Sequence, residues 1–381
     1  MTDSLLYKAT NTSNRFIALD IFRGLTVCLM LIVNFPGSQE LVYAPFNHAK
    51  WNGFTPTDFV FPAFLFTVGN AMIFSVPKWQ AMKTSQVLYK IFKRTIIIFL
   101  LGYLLYWLPF SNLIAHPFAF NAFDDSRILG VLQRIALTYC MASLLLYFFG
   151  LRTTIIIGVC ILILYNFILV YFATGTDPFD AHTNAVLRLD KWALGEKHLY
   201  TGEGFPFDTE GLLSTFPALT NVIAGYATGK FIQQKGRTYE GLAKLMMAGF
   251  ILLVIGFWWN YGFPINKKLW TSSYAVATSG LSCMLLACIM YYVDFLHYKK
   301  GVYFFEVFGK NPLFIYFFSI AFLLTFLLIP FGNDIFINWV YVHIFGKAGE
   351  YFGSLLFAIC YMLFCWSICY VLDKRKIYIR I

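Results

Sequence analysis

Charge is scarce in this sequence. Only 13% of its 381 residues are Asp, Glu, Lys or Arg, where a soluble domain carries roughly 25% because a water-facing surface has to be covered. That shortage excludes a soluble globule of this size. Cysteine chemistry is missing too. All eight cysteines (Cys28, Cys140, Cys160, Cys283, Cys288, Cys360, Cys365 and Cys369) lie inside apolar runs, with no CxxC pair and no Cys/His ligand spacing. They read as small apolar packing residues, not as a disulfide framework or a metal centre. No cleavable signal peptide is evident, because the first apolar run contains Asp20 and Arg23. No internal repeat, low-complexity tract or separable soluble domain appears.

What fills the chain instead is apolar. Hydrophobic residues make up 59% of it, including 43 Phe and 24 Tyr, and the mean hydropathy is +0.66. A helix that crosses a bilayer needs about 20 mostly apolar residues. Segments of that kind fall at 16–36, 56–76, 95–115, 129–149, 153–174, 212–233, 242–262, 270–293, 311–331 and 350–372. The expected fold is therefore all-α, a polytopic integral membrane bundle of about ten helices forming one domain over 1–381. The apolar, aromatic stretch 335–345 is too short to cross and reads as an interfacial helix. The formal net charge of +10 does not signal nucleic acid. Its Lys and Arg cluster in alternate short loops, around 78–94, 230–244, 299–310 and 374–380, as the positive-inside rule expects. That bias predicts a multi-pass protein with both termini in the cytoplasm and membrane lipid as its surroundings.

Intramembrane polar groups default to function, because a charge inside a span costs several kcal/mol on insertion scales. The first span carries Asp20, Arg23 and Asn34. At about 100° per residue, Arg23 and Asn34 lie roughly 20° apart and Asp20 roughly 60° from Arg23, which makes one polar stripe. An Asp20–Arg23 pair that only ties helices together is the alternative. The fourth span adds Arg127, Gln133, Arg134 and Thr138. Arg134 suits either a structural pairing with Asp20 or a grip on phosphate, since its fork of donors matches such oxygens. Ser214, Thr215, Thr220 and Asn221 punctuate the sixth span, where hydroxyls most often bond neighbouring helices.

The densest polar constellation runs from Asn47 to Asp58, N-H-A-K-W-N-G-F-T-P-T-D. A histidine beside a carboxylate can act as a general base, because the carboxylate fixes its tautomer and stabilises the charged ring. His48 and Asp58 are that pair here, with Trp51, Asn52 and Asn34 near them in sequence. The outer loop 175–211 supplies a second polar surface with His182, Asp190, His198, Asp208 and Glu210, more acidic than basic. It suits a cationic or sugar-like ligand or mere solvation.

Several segments together resemble the heparan-α-glucosaminide N-acetyltransferases and their bacterial homologues. They are L-D-I-F-R-G-L-T (19–26), V-N-F-P-G (33–37), H-A-K-W-N-G-F-T-P-T-D-F-V-F-P (48–62), R-I-L-G-V-L-Q-R-I-A (127–136), H-L-Y (198–200), F-D-T-E-G-L-L-S-T (207–215), P-I-N-K-K-L-W-T-S-S-Y (264–274) and G-K-N-P-L (309–313). The resemblance implies acetyl transfer from cytosolic acetyl-CoA to the amino group of a glucosamine-type sugar on the outer side of a bacterial inner membrane. It implies His48, Asn34 and Asp58 as the catalytic residues. Arg23, Arg134, Asp20 and Gln133, with the inner Lys93–Arg94 cluster, would then hold acetyl-CoA. Asn52, Trp51, His198, Asp208, Lys267 and Trp270 are the candidate acceptor contacts. Thr209 stands where the family usually has proline. With no large outer domain before the first span, a small amino sugar or cell-wall fragment is the expected acceptor. His48 would act either as base or as acetyl carrier. A transporter and an O-acyltransferase of glycan hydroxyls are the competing functions, and a homodimer is compatible with an enzyme of this kind although no motif marks one.

Overall fold

A computed structural model describes residues 16–108, 126–327, 329–332 and 334–379. The chain opens with α1 (Ile17–Asn34), α2 (Pro56–Met72), a short α3 (Val76–Trp79) and α4 (Thr84–Trp107). Then come α5 (Val131–Phe172), the peripheral α6 (Ala185–Leu194), α7 (Leu212–Lys235), α8 (Tyr239–Trp259) and α9 (Ser272–Met290). The last third holds α10 (Val302–Lys310), α11 (Pro312–Phe326), α12 (Phe336–Val340) and α13 (Glu350–Lys374). A two-residue antiparallel pair, β1 (Pro330–Phe331) with β2 (Asp334–Ile335), is the sole sheet among the described residues.

Each of the ten apolar segments read from the sequence is mainly helical where it is described, although the ninth ends in β1; residues 109–115 of the third and 328 of the ninth lie outside the described residues. The segments 129–149 and 153–174 appear as one helix, α5, broken at Gly150. Its φ of 71° lies outside helical geometry and is one that glycine adopts without strain. Among the described residues five helices are long and apolar enough to cross a membrane, and α10 with α11, bent by 80°, makes a sixth span if counted as one, short of the ten expected from the sequence. That bend falls at Asn311–Pro312, where proline starts the new helix. Of the stretch 335–345, residues 336–345 are helical, with α12 running into a π turn over Tyr341–Phe345, and Ile335 closes β2.

Close helix crossings run through glycine, as they do where packing and not water drives association. A Cβ on Gly69 would sit 1.9 Å from the Val222 carbonyl oxygen, and one on Gly225 2.0 Å from that of Phe66, which locks α2 to α7. Gly24 and Gly309 join α1 to α10 in the same way, through the carbonyls of Phe305 and Asp20. With α1, α2 and α7 so fixed, the C-terminus of α1 and the N-termini of α2, α5, α7 and α9 meet at one end of the bundle. The loops between them build the site.

Candidate active site

The N-terminus of α2 sets the first part of the geometry. Thr55 is its N-cap, Pro56 occupies the first helical turn, and Asp58 stands at N3 in a capping box, a combination that leaves Asp58 pointing back at the incoming chain. One carboxylate oxygen accepts the N–H groups of Thr55 (3.0 Å) and Ala49 (3.1 Å). The other lies 2.7 Å from Nδ1 of His48. Asp58 is 1% exposed while the His48 ring is 42% exposed, so a buried carboxylate holds a reachable imidazole. The incoming loop is tied to the same helix start by Thr55 Oγ1 donating to Asn47 O (2.7 Å) and Thr57 Oγ1 to Pro45 O (3.1 Å). Tyr274 on α9 donates to the Asp58 carbonyl at 2.6 Å.

His48 faces a cavity of about 250 Å³. Asn34, His48, Arg127, Tyr200, Glu203, Glu210, Lys267 and Lys268 give it a polar mouth, and Met30, Val60, Phe64, Ile135 and Tyr316 an apolar floor. Asn34 on α1 and His48 in the next loop are thus on one cavity, as is Lys267, whose Nζ lies 3.0 Å from His48 Nε2. Lys268 pairs with Glu203 and donates to the Lys50 carbonyl at 2.8 Å.

The wall opposite is an arginine clasp. Arg127 donates from Nε (3.0 Å) and Nη2 (2.6 Å) to both Asp208 oxygens, from Nη2 to Glu210 (2.6 Å), and from Nη1 to the Tyr106 hydroxyl (3.1 Å). Its guanidinium also stacks on Tyr106 and Tyr200, at 4.8 and 4.7 Å from the ring centres. Burial penalises the Glu210 charge, but Arg127 and Arg134 outweigh it and pull its pKa down to about 2. Burial, and then the Glu210 charge, push Asp208 the other way.

The remaining residues singled out from the sequence lie elsewhere. Asp208 grips Arg127 away from the cavity lining. His198 Nδ1 is 2.8 Å from the Ser126 carbonyl, steadying the strand of chain that carries Arg127. Trp51 donates to the Phe179 carbonyl (2.7 Å) and packs edge-on against Phe207. Asn52 accepts from Asn266 Nδ2 at 3.0 Å. Trp270 is fully buried, donating to Asn221 (3.0 Å) and stacking under Arg134 at 4.7 Å. Arg134 is fully buried as well and donates to the Gly211 carbonyl (3.2 Å) and to Ser214. It does not meet Asp20, which pairs with Arg23 one turn along α1. Gln133 is buried beside a second, largely apolar cavity between α4, α5 and α11. Of the cavity's other polar residues, Glu210 was singled out on the outer loop 175–211, whereas Tyr200 and Lys268 sit in segments that carry the family resemblance, and that was their one signal. Glu203 and Tyr316 had none.

At the far end of α2, about 25 Å away by helix rise, lies a cleft of about 520 Å³ lined by Lys78, Lys90, Lys93 and Arg94 with Trp79 and Tyr139. None of the four cations has a carboxylate partner among the described residues. Tyr139 in this cleft and Ile135 in the His48 cavity are one turn apart on α5.

Asp190 on α6 gives a pH response. Its Oδ1 accepts the N–H of Leu212, the first residue of α7, at 2.9 Å, and Oδ2 has no hydrogen-bond partner. Burial, with Asp208 adding and Arg134 opposing, raises its pKa from 3.8 to about 7. The folded chain therefore holds a proton that the unfolded chain releases, so this contribution to stability is full below pH 3.8 and fades as pH rises through about 7. Asp190→Asn is expected to flatten the fall in melting temperature between those pH values. A slope unchanged from wild type would sink the assignment.

The family described as "Heparan-alpha-glucosaminide N-acetyltransferase, catalytic" matches residues 15–257. The Mus musculus protein named Heparan-alpha-glucosaminide N-acetyltransferase is 28% identical over 359 residues, covering 80% of this chain and 53% of its own length. The Homo sapiens protein of the same name is 26% identical over 355 residues, covering 79% and 52%. The chain thus spans about half the length of the curated relatives it matches.

Proposed function

The chain belongs to the heparan-alpha-glucosaminide N-acetyltransferase family, and from that premise we propose that it is a transmembrane acetyltransferase moving acetyl from cytosolic acetyl-CoA to the amino group of a glucosamine-type sugar on the far side. The observation that carries this reading is the Asp58–His48 pair at 2.7 Å, opening on the cavity that Asn34 also lines. Ionised Asp58 only accepts hydrogen bonds, so the ring hydrogen sits on Nδ1 and the Nε2 lone pair is left for the substrate. His48 Nε2 takes the proton as the sugar nitrogen attacks the thioester carbonyl. Asn34 Nδ2 donates to the oxyanion that develops. The CoA thiolate leaves and recovers the proton from His48.

Acetyl-CoA is polyanionic at one end and carries its acetyl group on a long arm. The cleft of Lys78, Lys90, Lys93 and Arg94 suits the phosphates, because four cations converge there without a competing carboxylate. The arm then runs past Tyr139 and Ile135 toward His48. The same lysines and arginine belong to the cytoplasmic set of the positive-inside pattern, which supports a plasma-membrane protein of about ten spans with both termini in the cytoplasm. The double change Lys90→Glu with Lys93→Glu is expected to raise the KM for acetyl-CoA roughly tenfold or more, the scale of one lost charge-assisted contact, with a smaller effect on kcat. An unchanged KM would remove the phosphates from this cleft.

The direct test is transfer from radiolabelled acetyl-CoA to glucosamine by the purified protein in detergent. An amide product, resistant to mild hydroxylamine, is expected; an ester would make it an O-acyltransferase. Counterflow of a labelled solute without any acyl donor would favour a transporter. Initial-rate lines that intersect are expected for direct transfer, whereas parallel lines would make His48 itself the acetyl carrier.

A further inference from the structure

Lys267 has a setting that the transfer step does not use. Its Nζ lies 3.0 Å from Nε2 and 3.1 Å from Nδ1 of His48. Nδ1 also meets Asp58 at 2.7 Å, so the hydrogen on that nitrogen serves the carboxylate; the near-equal distances set Nζ over the ring, and of the two nitrogens beside it Nε2 is the one with a free lone pair. Its neighbour Lys268 is neutralised by Glu203, but no carboxylate is in ion-pair contact with Lys267 among the described residues.

The backbone beneath Lys267 is tied to the loop that carries His48. Gly53 N–H donates to the Ile265 carbonyl at 2.8 Å, Asn266 Nδ2 to Asn52 at 3.0 Å, and Leu269 N–H back to Asn266 Oδ1 at 2.8 Å. The amine is therefore delivered by a braced turn and not by a wandering surface loop. Burial outweighs the nearby Glu210 and Asp58 charges and lowers the pKa of Lys267, with Lys268 adding to the effect, so the neutral, nucleophilic form is easier to reach than for an ordinary lysine.

An acceptor amine in base-assisted acyl transfer has to come within about 2.6–3.2 Å of the base. Lys267 Nζ already meets that condition, on the cavity where the thioester would arrive. We propose that Lys267 is itself an acetyl acceptor, so that without sugar the protein transfers one acetyl group from acetyl-CoA to its own Lys267 side chain. Neutral Nζ attacks the thioester carbonyl and forms the C–N bond. His48 Nε2 takes the amine proton, the C–S bond breaks, and the CoA thiolate leaves and recovers that proton. The products are an N-acetyl-lysine and CoA. The inference rests on the acetyltransferase reading above.

The test incubates the purified full chain in detergent with isotopically labelled acetyl-CoA and no sugar, then maps acetyl-lysine by peptide mass spectrometry. Transfer to glucosamine is measured on the same preparation. The expected result is close to one acetyl group per chain on Lys267, well above Lys268, and slowed when glucosamine is in excess. His48→Ala and His48→Gln should each lower labelling by roughly a hundredfold or more, the glutamine keeping a hydrogen-bonding group beside Asp58. Sugar acetylation with Lys267 unlabelled, or with Lys267 labelled no faster than Lys268 or independently of His48, would overturn the proposal and leave the acetyltransferase reading standing. Acetylation of neither sugar nor Lys267 would remove both.

Discussion

His48→Ala is expected to lower acetyl transfer to glucosamine by roughly 10²–10⁴-fold, the usual contribution of a positioned general base. The protein should remain folded, because the ring is 42% exposed and packs into no core. The N–H groups of Ala49 and Thr55 still satisfy one oxygen of Asp58 after the change; the oxygen that met His48 loses its partner, so His48→Gln, which keeps a hydrogen-bonding group there, is the companion variant. Size-exclusion profile and melting temperature in detergent would register any loss of fold, and initial rates with saturating acetyl-CoA would register the chemistry. A variant that is folded and still transfers acetyl at near wild-type rate would remove His48 from the reaction and leave the family's histidine role unfilled here.

Arg127→Ala is expected to have the largest effect on stability, a loss of about 3–5 kcal/mol, the scale for breaking a buried ion pair by removing one partner. Asp208 is 0% and Glu210 8% exposed at the side chain, and Arg127 supplies three of the hydrogen bonds that satisfy them. Removing the guanidinium also leaves Tyr106 and Tyr200 without the group stacked between them. Adding Asp208→Asn and Glu210→Gln to the same chain should recover part of the loss, since the stranded charges are then gone. Thermal unfolding of the single and triple variants checks both statements. A single variant that melts with the wild type would mean that water reaches the two carboxylates and the clasp contributes nothing.

Some of this architecture is written locally. An apolar run of about 20 residues forms a helix whatever surrounds it, because unsatisfied backbone groups are too costly in lipid. The boundaries follow the same logic, as at Gly150 and at Asn311–Pro312, where a glycine and a proline interrupt the ladder. The His48–Asp58 pair was also legible, since a ten-residue segment ending in a helix cap brings the two together without help from the rest of the chain. Asn34 joins them because it closes the preceding helix and so lies at the same end of the bundle.

Other roles could not be read that way. Trp51, His198, Asp208 and Trp270 looked like acceptor contacts because polar and aromatic residues in outer loops suit a sugar. In the fold each has a specific partner far along the chain that the sequence did not reveal: Phe179, Ser126, Arg127 and Asn221 in turn. Arg134 read equally well as a phosphate ligand or a partner for Asp20, and in the fold it stacks on Trp270 beside Gly211 and Ser214.

The sequence by itself therefore determined the helices, the membrane setting and the pairing of one histidine with one aspartate, because hydropathy, capping and backbone hydrogen bonding act over a turn or two. The tertiary structure alone decided that Lys267 reaches His48 across 219 positions and that Arg127 is held by Asp208 across 81. Those contacts depend on where the glycine-locked crossings of α1, α2 and α7 bring separate loops together, and no local property of the chain carries that information.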